Sequence, residues 1–366
     1  MKIESIKTIT SSADILSLLA LLLWPLAAQA QFTFVTNNGA ITITDYDDSQ
    51  ANVIIPDSIN GYPVTSIGNS AFYHKMLLAS VTIPTSVTNI ANGAFEYCYN
   101  LTNVVIPNSA TNIGSYAFEY CSSLRSIVIP NGVPNIGDYT FYYCSSLTNL
   151  VLPNSVTNIG GDVFYECSGL TGLTLPDQVR TIGSGAFSYC YNLTNLTIPS
   201  SVMNIGQSAF SYCEGLTSET IPNNVTNIGS YAFYYCVSLH QLYFQGNAPT
   251  VNSGAGKTNS TVFIGETGTV YYMPGTTGWT NSYGGWTTAL WNPQVQQTNG
   301  SFGVQTNQFG FNIRGTTNIP IVVEACTNLA GTWMPLQSVS LTNGSFYFSD
   351  LQWTNYPGRF YRIRSP

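Results

Sequence analysis

The chain has 366 residues, of which only 7% are charged, with 10 basic and 17 acidic side chains and a formal net charge of −7. A typical domain is about a quarter charged, so Asn, Thr, Ser, Tyr and Gly build this surface, and no basic footprint exists to neutralise nucleic-acid phosphates. The many Val, Ile, Leu, Tyr and Phe residues exclude a disordered chain.

At the N-terminus, Lys2 and Lys7 precede an apolar run, Ile15–Ala27, and then Ala28-Gln29-Ala30. That order predicts a secretory signal peptide over residues 1–30, cleaved before Gln31. The alternative is a membrane anchor, for which the run falls short of the ~20 residues a span needs. No other stretch is long enough to cross a bilayer. The mature chain is therefore expected to be exported, extracellular or at the cell surface, without a membrane span. Residues 31–56 read as an N-terminal cap, with a hairpin signal at Asn38-Gly39. Asp45, Asp47 and Asp48 in that cap suit a turn; a calcium loop would need more oxygen ligands at set positions.

Over residues 57–245 one frame recurs every 23 residues. Phe95, Phe118, Phe141, Phe164, Phe187, Phe210 and Phe233 hold one phase. Cys98, Cys121, Cys144, Cys167, Cys190, Cys213 and Cys236 hold a second. Leu101, Leu124, Leu147, Leu170, Leu193, Leu216 and Leu239 hold a third, and a Pro column a fourth. Each unit reads S-V-T-N-I-G-x-x-A-F-x-x-C-x-x-L-T-x-L-x-I-P. The L-T-x-L-x-I part alternates like a short strand with apolar residues inward, and the following Pro ends it. The A-F-x-x-C part places three apolar residues within about one helical turn. One such unit cannot bury its own apolar face, so neighbours must stack into a continuous core. The expected fold is α/β, mostly β: a right-handed solenoid of eight 23-residue repeats with a parallel sheet.

These residues closely resemble the BspA-like leucine-rich repeats of exported and surface proteins. The unit at Ile55–Phe72, with extra residues around Asn60-Gly61, resembles the first repeat of that family. The resemblance implies a solenoid with a binding or adhesion role and no catalytic residues.

Seven cysteines at one phase admit a disulfide set, a metal site or a buried thiol stack. Helical turns stacked at ~8–10 Å would sit beyond disulfide reach, and no C-x₂₋₄-C pair offers a metal site. The expectation is a buried stack in which Cys packs as a small apolar residue. Lys75 takes this phase in the first unit, where an atypical terminal repeat faces water. Cys326, outside the repeats, is either a free thiol or a core residue.

Function on the repeats would sit on outward positions. One strand column includes Ser80, Asn103, Ser126, Asn149 and Asn195, and the other Thr82, Val105, Val128, Val151 and Tyr243. They form either a generic solvated sheet or a weakly polar contact surface. Tyr97, Tyr120, Tyr143, Tyr189, Tyr212 and Tyr235 each precede a Cys. Their rings either seal the edge of the core or grip a protein or sugar. The candidate ligand-binding residues are these six tyrosines with Asn103, Asn149 and Asn195. Glu219 stands in an inward phase, so a local bulge or a partner is expected there.

Residues 246–292 read as an altered last coil, with a loop over Gly254–Thr267, and Pro293–Gly300 as a linker. The remainder of residues 293–366 alternates in short strands, predicting a small antiparallel sandwich. The stretches "VVEACTNLAGTW" and "NYPGRFYRIRSP" resemble a C-terminal module of otherwise unrelated exported bacterial proteins, which implies sorting, attachment or binding. Arg359, Arg362 and Arg364 either protect an edge strand or dock an anionic partner. No catalytic constellation, metal motif, cofactor loop or paired carboxylates across a cleft emerge from the spacing. The sequence therefore predicts a non-enzymatic interaction or adhesion protein, monomeric, with an extracellular protein or glycan as partner. The alternatives are a carbohydrate-binding protein and a structural spacer.

Overall fold

A Phe every 23 residues stacks only if successive coils keep strict register, and the register here is set by backbone hydrogen bonds. The computed structural model describes residues 31–252, 262–298, 300–306 and 308–365; the signal peptide expected over 1–30 lies outside the described residues. The chain divides into two compact units, Met1–Asn195 and Leu196–Pro366.

In the first unit, Asn52–Ile54, Ser80–Thr82, Asn103–Val105, Ser126–Val128 and Asn149–Val151 pair as one parallel ladder. The short V-T-N-I strands form a second side. Tyr62–Ile67 pairs with Asn89–Ile90 and that with Asn112–Ile113, while Asn135–Ile136, Asn158–Ile159 and Thr181–Ile182 pair in turn. The third side is the A-F-x-x-C segment, and it is not helical. Alternate N–H groups point along the stacking direction. Gly93, Phe95 and Tyr97 donate to the carbonyls of Ser115, Ala117 and Glu119 in the next coil at 2.8–2.9 Å. The residues between them close four-residue turns, as Glu96 does onto Gly93 at 3.0 Å. A helix would have spent those N–H groups inside its own coil and held neighbours ~8–10 Å apart. The turn ladder instead brings the coils to strand-like spacing, and the rings of Phe72, Phe95, Phe118, Phe141, Phe164 and Phe187 stack at 4.8–5.7 Å.

This zigzag requires left-handed backbone twice per coil. One phase carries Ser70, Gly93, Tyr116, Tyr139, Asp162 and Gly185, and the other Tyr97, Tyr120, Tyr143, Glu166 and Tyr189, all at positive φ. For a non-glycine residue that costs ~1–2 kcal/mol, offset by the bonds between coils and by burial. The Phe, Cys and Leu columns from Phe95 to Leu193 are fully buried, and a buried Phe contributes about 1.5–3 kcal/mol.

The Phe32–Asn37/Ala40–Tyr46 hairpin turns at Asn38-Gly39 and closes one end, with Tyr46 5.2 Å from Phe72. Lys75 is not turned to water as its terminal place suggests. The hairpin covers it, and its Nζ meets Asp45 at 2.7 Å with the side chain only 16% exposed.

In the second unit, Ser218–Ile221, Gln241–Phe244, Thr269–Tyr272 and Trp286–Leu290 form a parallel ladder, and Phe210, Phe233 and Phe263 stack. Cys213, Leu216, Cys236 and Leu239 are fully buried. Two antiparallel sheets follow. One contains Gln294–Gln296, Gly303–Gln305, Gln308–Arg314 and Ser345–Asp350; the other contains Pro320–Cys326, Met334–Ser340 and Phe360–Arg364. The expected linker therefore contains a paired strand. Tyr243 and Tyr271 of the parallel ladder share one apolar cluster with Ile313, Ile319, Ile321, Val323, Leu341 and Phe348 of these sheets. Trp291 Nε1 donates to the Pro320 carbonyl at 2.9 Å across the same junction. The architecture is thus nearly all β, parallel-sheet solenoid coils followed by antiparallel sheets, and the helical share expected from A-F-x-x-C is absent among the described residues.

Candidate functional site

The tyrosines meet one another first. Tyr97, Tyr120 and Tyr143 stack face to face at 4.8 Å per step, Tyr189 lies 5.0 Å from Tyr165, and Tyr212 lies 5.2 Å from Tyr235. The rings are half-buried, apart from the more exposed Tyr235. In the Tyr97–Tyr143 run the ring faces cover each other and the edges look outward, so the face that would stack on a sugar is occupied.

Beside this run, Glu96 and Glu119 sit one coil apart and share a hydrogen bond. Burial, then repulsion by Glu96, pushes the Glu119 carboxyl up to about 7. Burial likewise raises Glu96. Two acids in contact and sharing a proton lack the separation that glycoside hydrolysis needs, about 5 Å or more.

The cysteine column is also engaged. Cys98, Cys121, Cys144, Cys167 and Cys190 donate Sγ–H to the carbonyls of Phe72, Phe95, Phe118, Phe141 and Phe164 at 2.9–3.2 Å. The coils are closer than the spacing that argued against disulfides, yet all eight cysteines are thiols. Each links its coil to the preceding one, which a purely apolar residue of that size would not do. Burial raises the thiol of Cys98 to about 12 and those of Cys121, Cys144, Cys167 and Cys190 well above the ordinary value. Cys326 is buried in the last sheet.

Glu219 shows no bulge: Ser218–Ile221 pairs residue for residue with Gln241–Phe244. Its carboxylate accepts the Thr220 N–H at 3.0 Å, and burial drives it to about 8, so it is largely neutral at pH 7. The aspartates of the cap are spent on structure, Asp45 on Lys75, Asp47 on the Ser49 N–H and Asp48 on the Leu77 N–H. No metal-ligating group occurs among the described residues. The basic cluster is neutralised internally. Arg362 and Arg364 bind the two oxygens of buried Glu324 at 2.7 and 2.6 Å, and Arg359 binds Asp350 at 2.8 Å. Burial opposes ionisation of Glu324, but the two guanidinium groups hold its pKa below the ordinary value.

The strand face of the first unit is the open one. Asn103, Ser126 and Asn149 are exposed. So is the neighbouring β-branched column, with Ile54 76%, Val105 49%, Val128 64% and Val151 52% exposed. Asn195 is exposed as well. The ladder opens at two steps: Asn149–Val151 does not pair with Gly172–Thr174, and the step before Ser126–Val128 is only partly closed. Ser80–Thr82 pairs with Asn103–Val105 at three residues, and Ser126–Val128 with Asn149–Val151 at three, but Asn103–Val105 meets Ser126–Val128 only at Asn103–Ser126. Ile83 N–H bonds the Val105 carbonyl and Ile129 N–H the Val151 carbonyl, each at 3.2 Å. The corresponding bond from Ile106 to Val128 is not formed. The resulting notch of about 230 Å³ lies between Asn103, Val105 and Ile106 on one side and Ser126, Ile127 and Val128 on the other.

The sequence reading missed this notch, and nothing in residues that repeat so regularly announces it. It also missed the Asn ladder on the V-T-N-I strands, where Asn112 donates to Asn89 at 2.7 Å and Asn227 to Asn204 at 2.8 Å. That ladder was visible as an Asn column.

Coils of this length, closed by a Phe stack and a parallel ladder, define a leucine-rich-repeat solenoid. The family described as BspA type leucine-rich repeat region matches residues 46–160 and 134–261 in six copies, and the chain belongs to it. A leucine-rich repeat protein from Bacteroides ovatus is similar, with 27% identity over 66% of this chain and 70% of that one and a TM-score of 0.50. The leucine-rich repeat protein of T. pallidum matches at 30% identity over 57% of this chain and 88% of its own, with a TM-score of 0.41. A leucine-rich cell surface protein from Faecalibacterium prausnitzii matches at 23% identity over 66% and 93%, with a TM-score of 0.31. No curated protein matches the chain. No helix among the described residues is long and apolar enough to cross a membrane.

Proposed function

We propose that this chain is a non-enzymatic, exported interaction or adhesion protein that recognises an extracellular protein through the strand face of its first unit. The observation that carries this reading is the uncharged strip of Ile54, Val105, Val128 and Val151, bare to solvent beside Asn103 and Asn149. Thr82 parts Ile54 from the other three; an exposed apolar run such as Val105, Val128 and Val151 with a polar border is characteristic of interaction surfaces. Membership of a leucine-rich repeat family supports a binding scaffold. The leader read from Lys2 to Ala30 supports export.

The test is a binding screen of the mature chain against extracellular-matrix protein and glycan arrays, beside full-length V128K and Y120A variants. The proposal expects a protein ligand whose binding V128K weakens and Y120A leaves in place. Glycan binding lost in Y120A and kept in V128K would move recognition to the Tyr column with Tyr97 and Tyr143. Turnover of any arrayed substrate would overturn the non-enzymatic reading. Cutting the chain at Pro293 is a poor alternative test, because it would strip the cover from Tyr243 and Tyr271.

A further inference from the structure

We infer that the notch between Asn103–Val105 and Ser126–Val128 is the anchor point of the strand face, and that its occupant is an extended, uncharged peptide segment of a partner protein that seats one aliphatic or aromatic side chain. The inference rests on the strand-face reading and adds where on that face binding centres and what chemistry it takes.

Three observations converge on a peptide. First, the ladder bond missing between Ile106 and Val128 leaves a backbone N–H on one wall and a backbone C=O on the other, without the partners that Ile83, Val105, Ile129 and Val151 have. An extended peptide offers the complementary C=O and N–H on its own main chain. Second, the walls hold apolar Val105, Ile106, Ile127 and Val128 and neutral Asn103 and Ser126, with no charge to compensate one on the ligand. A charged ligand group would lose its hydration there for nothing in return. The opening of about 230 Å³ is smaller than ordinary small-molecule pockets, at about 300–1,000 Å³, and suits a single side chain. Third, this chain already covers the same outward phase of its other parallel ladder with neutral β-structure. Tyr243 and Tyr271 lie under Ile319, Ile321 and Leu341, with Trp291 bonded to a strand carbonyl. A glycan would find no aromatic face among the residues lining the notch.

The test uses the full mature chain and a nonapeptide library displayed on phage, with the best clone remade as a free peptide. Uncharged sequences with a central aliphatic or aromatic residue are expected. V105K and V128K should each weaken binding by about tenfold or more, while I54K and V151K on the same strip stay within about twofold, as an anchored hot spot requires. N-methylation of the amides beside the central residue should weaken binding by about tenfold, the loss of roughly one charge-free hydrogen bond in a dry site. All four positions are exposed, so the variants should keep the wild-type circular dichroism spectrum. Equal losses in all four variants would overturn the notch while leaving the strand face standing. Binding indifferent to all four would overturn both. Enrichment of charged peptides, insensitivity to N-methylation or no enrichment at all would overturn the inference.

Discussion

The outward face of the parallel ladder is bare in the first unit and covered at Tyr243 and Tyr271 in the second. In the first it carries small residues such as Thr82, Val105 and Val128, exposed to solvent; in the second the same phase carries Tyr243, fully buried beneath the antiparallel sheets. One ladder geometry thus serves as surface or as core, and the size of a single outward side chain marks which. A Val strip is too small to need a cover within the chain. A stacked Tyr243–Tyr271 pair, 5.1 Å apart, presents enough apolar area to hold one.

The sharpest way to break that comparison is Y243A. Truncating a buried aromatic side chain typically costs 3–5 kcal/mol, so urea unfolding should shift by about that much; a loss near zero would mean the cover is not cohesive. A smaller effect is expected from pH. Buried Glu219 and Glu119 have folded pKa values of about 8 and about 7, above the ordinary 4.5. Their folded forms hold protons that the unfolded chain has released, so the stability they contribute is full below about pH 4.5 and lost as pH rises through 7 and 8. Glu324, held low by its arginines, works the other way and loses its contribution on acidification. Melting temperature should therefore fall between weakly acidic and weakly alkaline pH, and E219Q should flatten that fall by roughly 2–4 kcal/mol of pH-dependent stability. A profile unchanged by E219Q would show that Glu219 is already ionised. Next is C144A, which removes the thiol bond to Phe118 and leaves a small void, for about 1–2 kcal/mol in the same unfolding assay. The smallest change is V128T on the bare face, within about 0.5 kcal/mol. A larger loss would show that the strip packs against something in the folded chain.

The columns were legible because Phe118, Cys121 and Leu124 each recur at one phase, and only a stacked core explains a fixed phase. The turn ladder was not legible from A-F-x-x-C, since three apolar residues within four positions satisfy a helix and a turn alike. The better clue lay beside it. Gly93 and Gly185 alternate with Tyr116, Tyr139 and Asp162 at one phase, and a column that accepts glycine repeatedly is a candidate for left-handed backbone. Tyr243 stood out from the small residues of its column, but no local pattern says what covers a surface tyrosine, because that contact joins residues far apart in the chain. The inward place of Glu219 was readable, whereas its neutrality depends on burial that only the folded chain supplies. The arginines read as one basic cluster because Glu324, which neutralises Arg362 and Arg364, lies about 40 residues away in sequence, and nothing local ties Asp350 to Arg359.

The direction of the bonds in the turn ladder also governs how the first unit responds to force. Gly93, Phe95 and Tyr97 all donate toward the following coil, and the Cys thiols donate toward the preceding one, so these bonds run with the stacking direction and not across it. Tension along that direction loads the coil interfaces in series, like links of a chain, and the weakest link yields first. Each coil that peels away frees 23 residues, about 76–83 Å of extended chain at ~3.3–3.6 Å per residue. Under tension the repeat would lengthen in equal steps, so that one coil can be given up while its neighbours stay folded.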